Sequence, residues 1–264
     1  MKRIALTLLL SLAALPVLAS DEIFRIDDPR GDDHGDGALT YPSSYYGMQK
    51  GDLDLLSLSA KRVSGGTEFA ATFAERVRAT ARRTIDIGGT SLDDVARLGF
   101  YTTNLDIYID TDHQPGSGGV VTLPGRRAEI DPANAWERVI CLTPRPYEAR
   151  SALKNILLKS LKRKLDRQEG VDREDAERLK AALPDELESR VFFPTRVRVS
   201  GATIRFFVPD SFLGGPARAD WGYVVFTTGA DIDLRFEVNA PGLDKASDER
   251  LMLLPISPGG SSDH

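Results

Sequence analysis

Cysteine is nearly missing from this 264-residue chain, since Cys141 is the only one. A single thiol forms no internal disulfide, and no CxxCH haem-attachment motif exists. Cys141 lies in the apolar run Val139-Ile140-Cys141-Leu142 and reads as a small buried hydrophobe. Histidine is also scarce, at three residues. The chain has no GxSxG elbow, no HExxH helix and no Cys/His pairing suited to nucleophilic catalysis, so the sequence reads as non-enzymatic. Adjacent carboxylates such as Asp32 and Asp33 stand side by side on a glycine-rich loop, whereas glycoside hydrolysis needs two acids on opposite sides of the scissile bond. Excess positive charge is lacking too. The formal charge of −5 argues against phosphate backbones and anionic membrane surfaces, so no nucleic-acid partner is expected.

The apolar run Ile4 to Leu15, after Met1-Lys2-Arg3 and before Val17-Leu18-Ala19, predicts a secretory signal peptide over residues 1–19, cut after Ala19. It is short for a membrane span, and no later segment approaches the length that crossing demands, so no transmembrane segment is expected in the mature chain. A periplasmic or secreted protein of one domain, residues 20–264, follows from this. Loss of Lys2 and Arg3 with the leader takes its charge from −5 to −7.

The most distinctive segment that is present runs from Asp27 to Gly37. It packs five aspartates around three glycines and Pro29, directly before the first recognisable strand, and leads on to Tyr41-Pro42. Carboxylates crowded together repel, and a hard divalent cation with oxygen ligands offsets that repulsion. Glycine allows the positive-φ turns that let oxygens converge. The other reading of the same residues is a solvated acidic connector, because no EF-hand spacing is matched.

Period-two alternation recurs along the chain. Phe69, Ala71 and Phe73 show it, as do Leu105, Ile107 and Ile109, whose alternate partners Asp106, Tyr108 and Asp110 are expected to face water. Arg196 to Val199 joins Ile204, Phe206 and Val208 through Ser200-Gly201, a hairpin signal. Tyr223 to Phe226 suits a central strand buried on both faces, and Ile232, Leu234, Phe236 and Val238 predict one more strand. Short strands between Gly, Pro and Asp turns point to a β-sandwich. From Tyr147 to about Leu165 the period changes: Ala149, Leu153, Ile156, Leu157, Leu161 and Leu165 form a helix stripe, stopped by Gly170. A second helix is expected to open at Asp172 as its cap, carry Ala176, Leu179 and Leu183 inward, and end at Pro184. The pair reads as a helical hairpin at about 147–190, covering a sheet edge or docking a protein partner.

The segment Asp28-Pro29-Arg30-Gly31-Asp32-Asp33-His34-Gly35-Asp36-Gly37, with Tyr41-Pro42 and Gly51-Asp52-Leu53-Asp54-Leu55, resembles the opening of the C-terminal module of bacterial glucodextranases and amylopullulanases. Leu105 to Asp112, Leu123-Pro124-Gly125-Arg126 and Ala135-Trp136-Glu137 are similar to its middle, and Val199-Ser200-Gly201, Val208-Pro209 and Trp221-Gly222-Tyr223 follow in matching order. Asp36 stands where the family pattern usually has proline. The resemblance implies a mainly β, DOMON-like or immunoglobulin-like antiparallel β-sandwich, here with an inserted α-helical hairpin. It also implies a carbohydrate- or cell-envelope-binding role and structural calcium.

Asp110 and Asp112 lie on one side of a strand end, where the acidic loop is expected to fold over and complete an oxygen cage. The candidate calcium ligands are Asp28, Asp32, Asp33, Asp110 and Asp112. The alternative is that Asp110 and Asp112 only cap the turn into His113-Gln114-Pro115-Gly116. A glycan needs exposed aromatic faces, for which Tyr45, Tyr46, Tyr101 and Trp221 are the candidates, with Trp221 equally suited to the core. Trp136 reads as core. Haem, found in related sandwiches, would have to draw axial ligands from Met48, Met252, His34, His113 or a lysine, a poor supply that disfavours it.

Overall fold

Thr103–Asp110 is the strand around which the molecule is layered, because all eight of its residues are buried. In the computed structural model, residues 21–33, 50–78, 86–87, 90–91, 97–124, 126, 128–167, 172–229 and 257–259 are described. Strands and helices are numbered here in chain order. One five-stranded sheet runs in the order β1 (Glu22–Asp27), β2 (Leu55–Val63), β3 (Gly66–Phe73), β10 (Thr203–Pro209) and β9 (Val197–Ser200). The other runs β12 (Ser257–Gly259), β11 (Gly222–Gly229), β6 (Thr103–Asp110), β7 (Arg138–Leu142) and β8 (Val191–Phe192). A two-stranded ribbon, β4 (Asp86–Ile87) with β5 (Thr90–Ser91), stands apart. Pairing is antiparallel except between β7 and β8, which are parallel.

Alternation supplies the inter-sheet core. Leu58 and Ala60, Phe69 and Ala71, and Ile204 and Phe206 join Leu105, Ile107, Ile109, Ile140, Tyr223 and Val225 in one buried cluster. Phe69 and Phe206, partners across β3 and β10, stack with ring centroids 5.6 Å apart. Arg196–Val199 and its partner do form the expected hairpin, with Ser200 opposite Thr203 across a two-residue turn. A further strand, β1, precedes the acidic loop; Ile23, Phe24 and Ile26 pack against the core and give it an apolar side.

The other face of β6 departs from the expectation of exposure. Asp106, Tyr108 and Asp110 are buried, because a third layer covers that side of the sheet. This layer consists of the 120–136 loop and two helices, α1 (Pro146–Asp166) and α2 (Arg173–Arg190). Trp136, Ala149, Leu153 and Leu187 cluster there with Tyr108, Val139, Cys141 and Phe226. Full burial of a leucine side chain contributes about 1.5–3 kcal/mol, so Leu153 and Leu187 are enough to seat the proximal half of the hairpin. Trp136 is core as expected, edge-on to Tyr108 at 5.4 Å.

Asp172 caps α2 by accepting from the Asp175 N–H at 2.8 Å. The expected stop at Pro184 is corrected: the helix runs through it to Arg190. Proline deletes one i→i−4 hydrogen bond, but stopping there would leave Leu187, 6% exposed, without its apolar pocket. The signal peptide, the Ile232–Val238 strand and Gly170 lie outside the described residues.

Candidate functional site

The acidic loop folds back onto the chain just before β2. Gly31 donates its N–H to Asp54 Oδ2 at 2.8 Å, and Gly51 donates to Asp33 Oδ2 at 3.0 Å. Both glycines hold positive φ, +85° and +89°, a region in which a side chain would strain the turn. Asp54 N–H donates to the Gly51 carbonyl, and the Asp54 carbonyl accepts from Ala74, so the carboxylate is carried on a backbone tied at both ends. Thr227 Oγ1 donates to the Leu53 carbonyl at 2.9 Å. Since Thr227 is opposite Leu105, the whole assembly sits where β6 begins.

Asp33 and Asp54 are both 3% exposed, and Asp32 is half-buried. Burial pushes the Asp54 carboxyl above its ordinary range; the Gly31 N–H works the other way, the negative charges of Asp33 and Asp32 raise it further, and the Arg30 charge lowers it. Asp32 Oδ1 and Asp54 Oδ1 are buried without a hydrogen-bond partner. Among the described residues no basic side chain lies within ion-pair distance of either. Neighbouring Asp52 is different, being paired with Arg78 Nε at 2.7 Å. Crowded carboxylates with orphaned oxygens have the chemistry a hard divalent cation takes, whereas the ligand atoms that converge within 4.8 Å among the described residues belong to a different group, Asp110, Asp112 and Glu137. Asp28 opens this loop, its N–H bonded to the Leu56 carbonyl at 2.9 Å.

Asp110 and Asp112 are not part of it. They lie at the far end of β6, whose eight residues span about 24 Å at the usual rise of a strand. The candidates that the sequence placed in one cage thus lie in two groups. Asp110 and Asp112 gather with Glu137, their ligand atoms within 4.8 Å of one another. Most of these oxygens are engaged by the local turn, but Asp110 Oδ2, like Asp32 Oδ1 and Asp54 Oδ1, is buried without a hydrogen-bond partner. Asp110 Oδ1 accepts from the Asp112 and His113 amides, Asp112 Oδ1 from Gln114 N–H and Ser117 Oγ, and Glu137 Oε2 from Thr111 N–H and Oγ1. His113, with φ at +52°, places Nδ1 3.4 Å from Asp110 Oδ2 and Nε2 2.6 Å from the Asp220 carbonyl. That carbonyl, joined by the Asp110 and Asp220 charges and opposed by burial, holds the imidazole pKa above its ordinary value.

The aromatic candidates also separate. Tyr101 is half-buried near the Asp52–Arg78 pair at the acidic-loop end, whereas Trp221 is half-buried against the core, next to Gly222 and so opposite Asp110. Tyr45, Tyr46, Asp36, His34, Met48 and Met252 lie outside the described residues. Sequence reasoning missed Asp54 and Glu137 as members of the two groups. The signal for Asp54 was its Asp-x-Asp pairing with Asp52, the same spacing as Asp110 and Asp112.

The fold and the placement of these blocks agree with the family comparison. The profile described as "C-terminal binding-module, SLH-like, of glucodextranase" matches residues 23–240. The chain belongs to this glucodextranase C-terminal binding-module family. A search of curated proteins finds no match. The family is one of binding modules and not of catalytic domains, and the match takes in the acidic loop, the helical hairpin and the strands of both sheets other than β12. Among the described residues no helix is long and apolar enough to cross a membrane.

Proposed function

We propose that this protein is an extracytoplasmic, non-catalytic module that binds a glycan or another cell-envelope component and is stabilised by calcium. The observation that carries the binding role is membership of the glucodextranase C-terminal binding-module family over residues 23–240. Calcium is supported separately, by the orphaned Asp32 and Asp54 oxygens and the raised Asp54 pKa. Asp32, Asp33 and Asp54 hold the ion, with Asp28 on the same loop, and the cation supplies the positive charge that cancels their repulsion. Asp110, Asp112 and Glu137, whose ligand atoms lie within 4.8 Å of one another, are the second candidate cation group, which the Asp112→Asn variant distinguishes from the first.

The acidic-loop end, with Tyr101 beside it, is the glycan face; Trp221 is the second aromatic candidate. Retention of the full chain on insoluble α-glucans or on purified cell-wall material, compared with a protein of similar charge, tests the reading. Binding that falls when Tyr101→Ala is introduced supports it. Equal passage of both proteins through every matrix contradicts it, as would release of reducing ends from a soluble glucan.

A further inference from the structure

A groove of about 430 Å³ opens between the distal half of the helical hairpin and the 121–124 loop, within the range of small-molecule sites. Its α1 wall includes Leu153, Leu157, Leu161 and Lys164; its α2 wall includes Leu179, Leu183, Glu186 and Arg190. The spacings of three and four residues put each set on one helix face. Only the proximal end of this stripe reaches the sheet. Further out, apolar surface is left at the lip, with Leu179 47% and Val121 61% exposed.

The two ends of the groove differ in charge. At the inner end Arg190 is engaged: its guanidinium lies 4.7 Å from the Trp136 ring centroid and 4.0 Å from Glu186. At the outer end Lys164 has no carboxylate within ion-pair distance among the described residues. Nor have Lys154, Lys159, Lys162 or Arg163, so α1 is a basic helix in an acidic chain. From Leu153 to Lys164 the helix rises about 17 Å, close to half of the ~30 Å hydrocarbon thickness of a bilayer and hence to one acyl chain.

We propose that this groove binds a single-chain amphiphile with an anionic head, a fatty carboxylate, its chain along the leucines and its carboxylate at Lys164. The proposal is independent of the glycan reading, because the groove lies on the outer face of the β6 sheet and shares no residue with the acidic loop.

Isothermal titration of the full chain with dodecanoate below its aggregation threshold tests it. Saturable binding to one site is expected, with dodecanol at least about tenfold weaker and acetate silent, since both chain and charge are recognised. Lys164→Glu, which replaces attraction by repulsion at the head, and Leu179→Asp, at a half-exposed position that tolerates change, each weaken binding roughly tenfold. Lys162→Glu makes the same charge change off the groove wall and leaves affinity within about twofold. Circular dichroism confirms that each variant is folded. Equal affinity for dodecanol and dodecanoate overturns the proposal, as does indifference to Lys164→Glu and Leu179→Asp. So does retention on phosphatidylglycerol vesicles without saturable dodecanoate binding, which would make the hairpin a membrane-surface element.

Discussion

Arg126 and Asp106 form an ion pair sealed inside the third layer, their side chains 1% and 0% exposed. Arg126 Nε donates to Asp106 Oδ2, and Nη2 donates to Oδ1 at 3.1 Å. Burial alone would lower the guanidinium pKa, but Asp106 raises it beyond its ordinary value, so Arg126 stays charged.

Removing one partner strands the other charge in the interior. Arg126→Met is expected to cost about 3–5 kcal/mol of unfolding free energy, and the double variant Arg126→Met with Asp106→Leu to recover most of that loss. Chemical denaturation of the three proteins measures the coupling. Additive losses in the double variant would show that the two charges do not act as a pair.

Cys141 adjoins the same pair, its Sγ 3.8 Å from Arg126 Nη2. Burial pushes the thiol well above its ordinary value, and the Asp106 charge adds to this. Alkylation by iodoacetamide at neutral pH is therefore expected only after unfolding, with a rate that follows the unfolded fraction. Rapid modification of the native protein would show that the third layer opens.

Asp54 gives a pH signature. Its folded-state pKa is raised above the ordinary aspartate value, so as pH rises the unfolded chain releases this proton first. The metal-free protein then loses Asp54's contribution to stability, beginning near the unfolded value and finishing as pH passes the folded one. Asp54→Asn removes the titration. In chelator at neutral pH the variant is expected to melt at a higher temperature than the wild type, whereas a lower melting temperature would mean that the ionised carboxylate stabilises the metal-free fold.

Much of the fold was legible in the sequence. The two sheets follow from alternation at Phe69–Phe73, Leu105–Ile109 and Ile204–Val208, and the hairpin from its leucine spacing. What local pattern could not give was the third layer: alternation makes Asp106 look solvent-facing, and only contact with residues distant in sequence, such as Arg126, reverses that. The end of α2 was misread for a related reason, since tertiary burial of Leu187 outweighs the local cost of Pro184. At the candidate site the acidic loop was recognised, and the structure sets Asp110 and Asp112 in a separate group with Glu137 at the other end of β6. The choice between Asp54 and Asp110 depends on strand register, which Thr227 and Leu53 fix.

Thermal denaturation in excess calcium and in excess chelator, for wild type, Asp54→Asn and Asp112→Asn, tests the calcium-clasped module most directly. A ligand selective for the folded state adds about 2.7 kcal/mol at a hundred times its dissociation constant, so wild type and Asp112→Asn should melt several degrees higher in calcium, and Asp54→Asn should not respond. Identical midpoints for the wild type in calcium and in chelator would contradict the account.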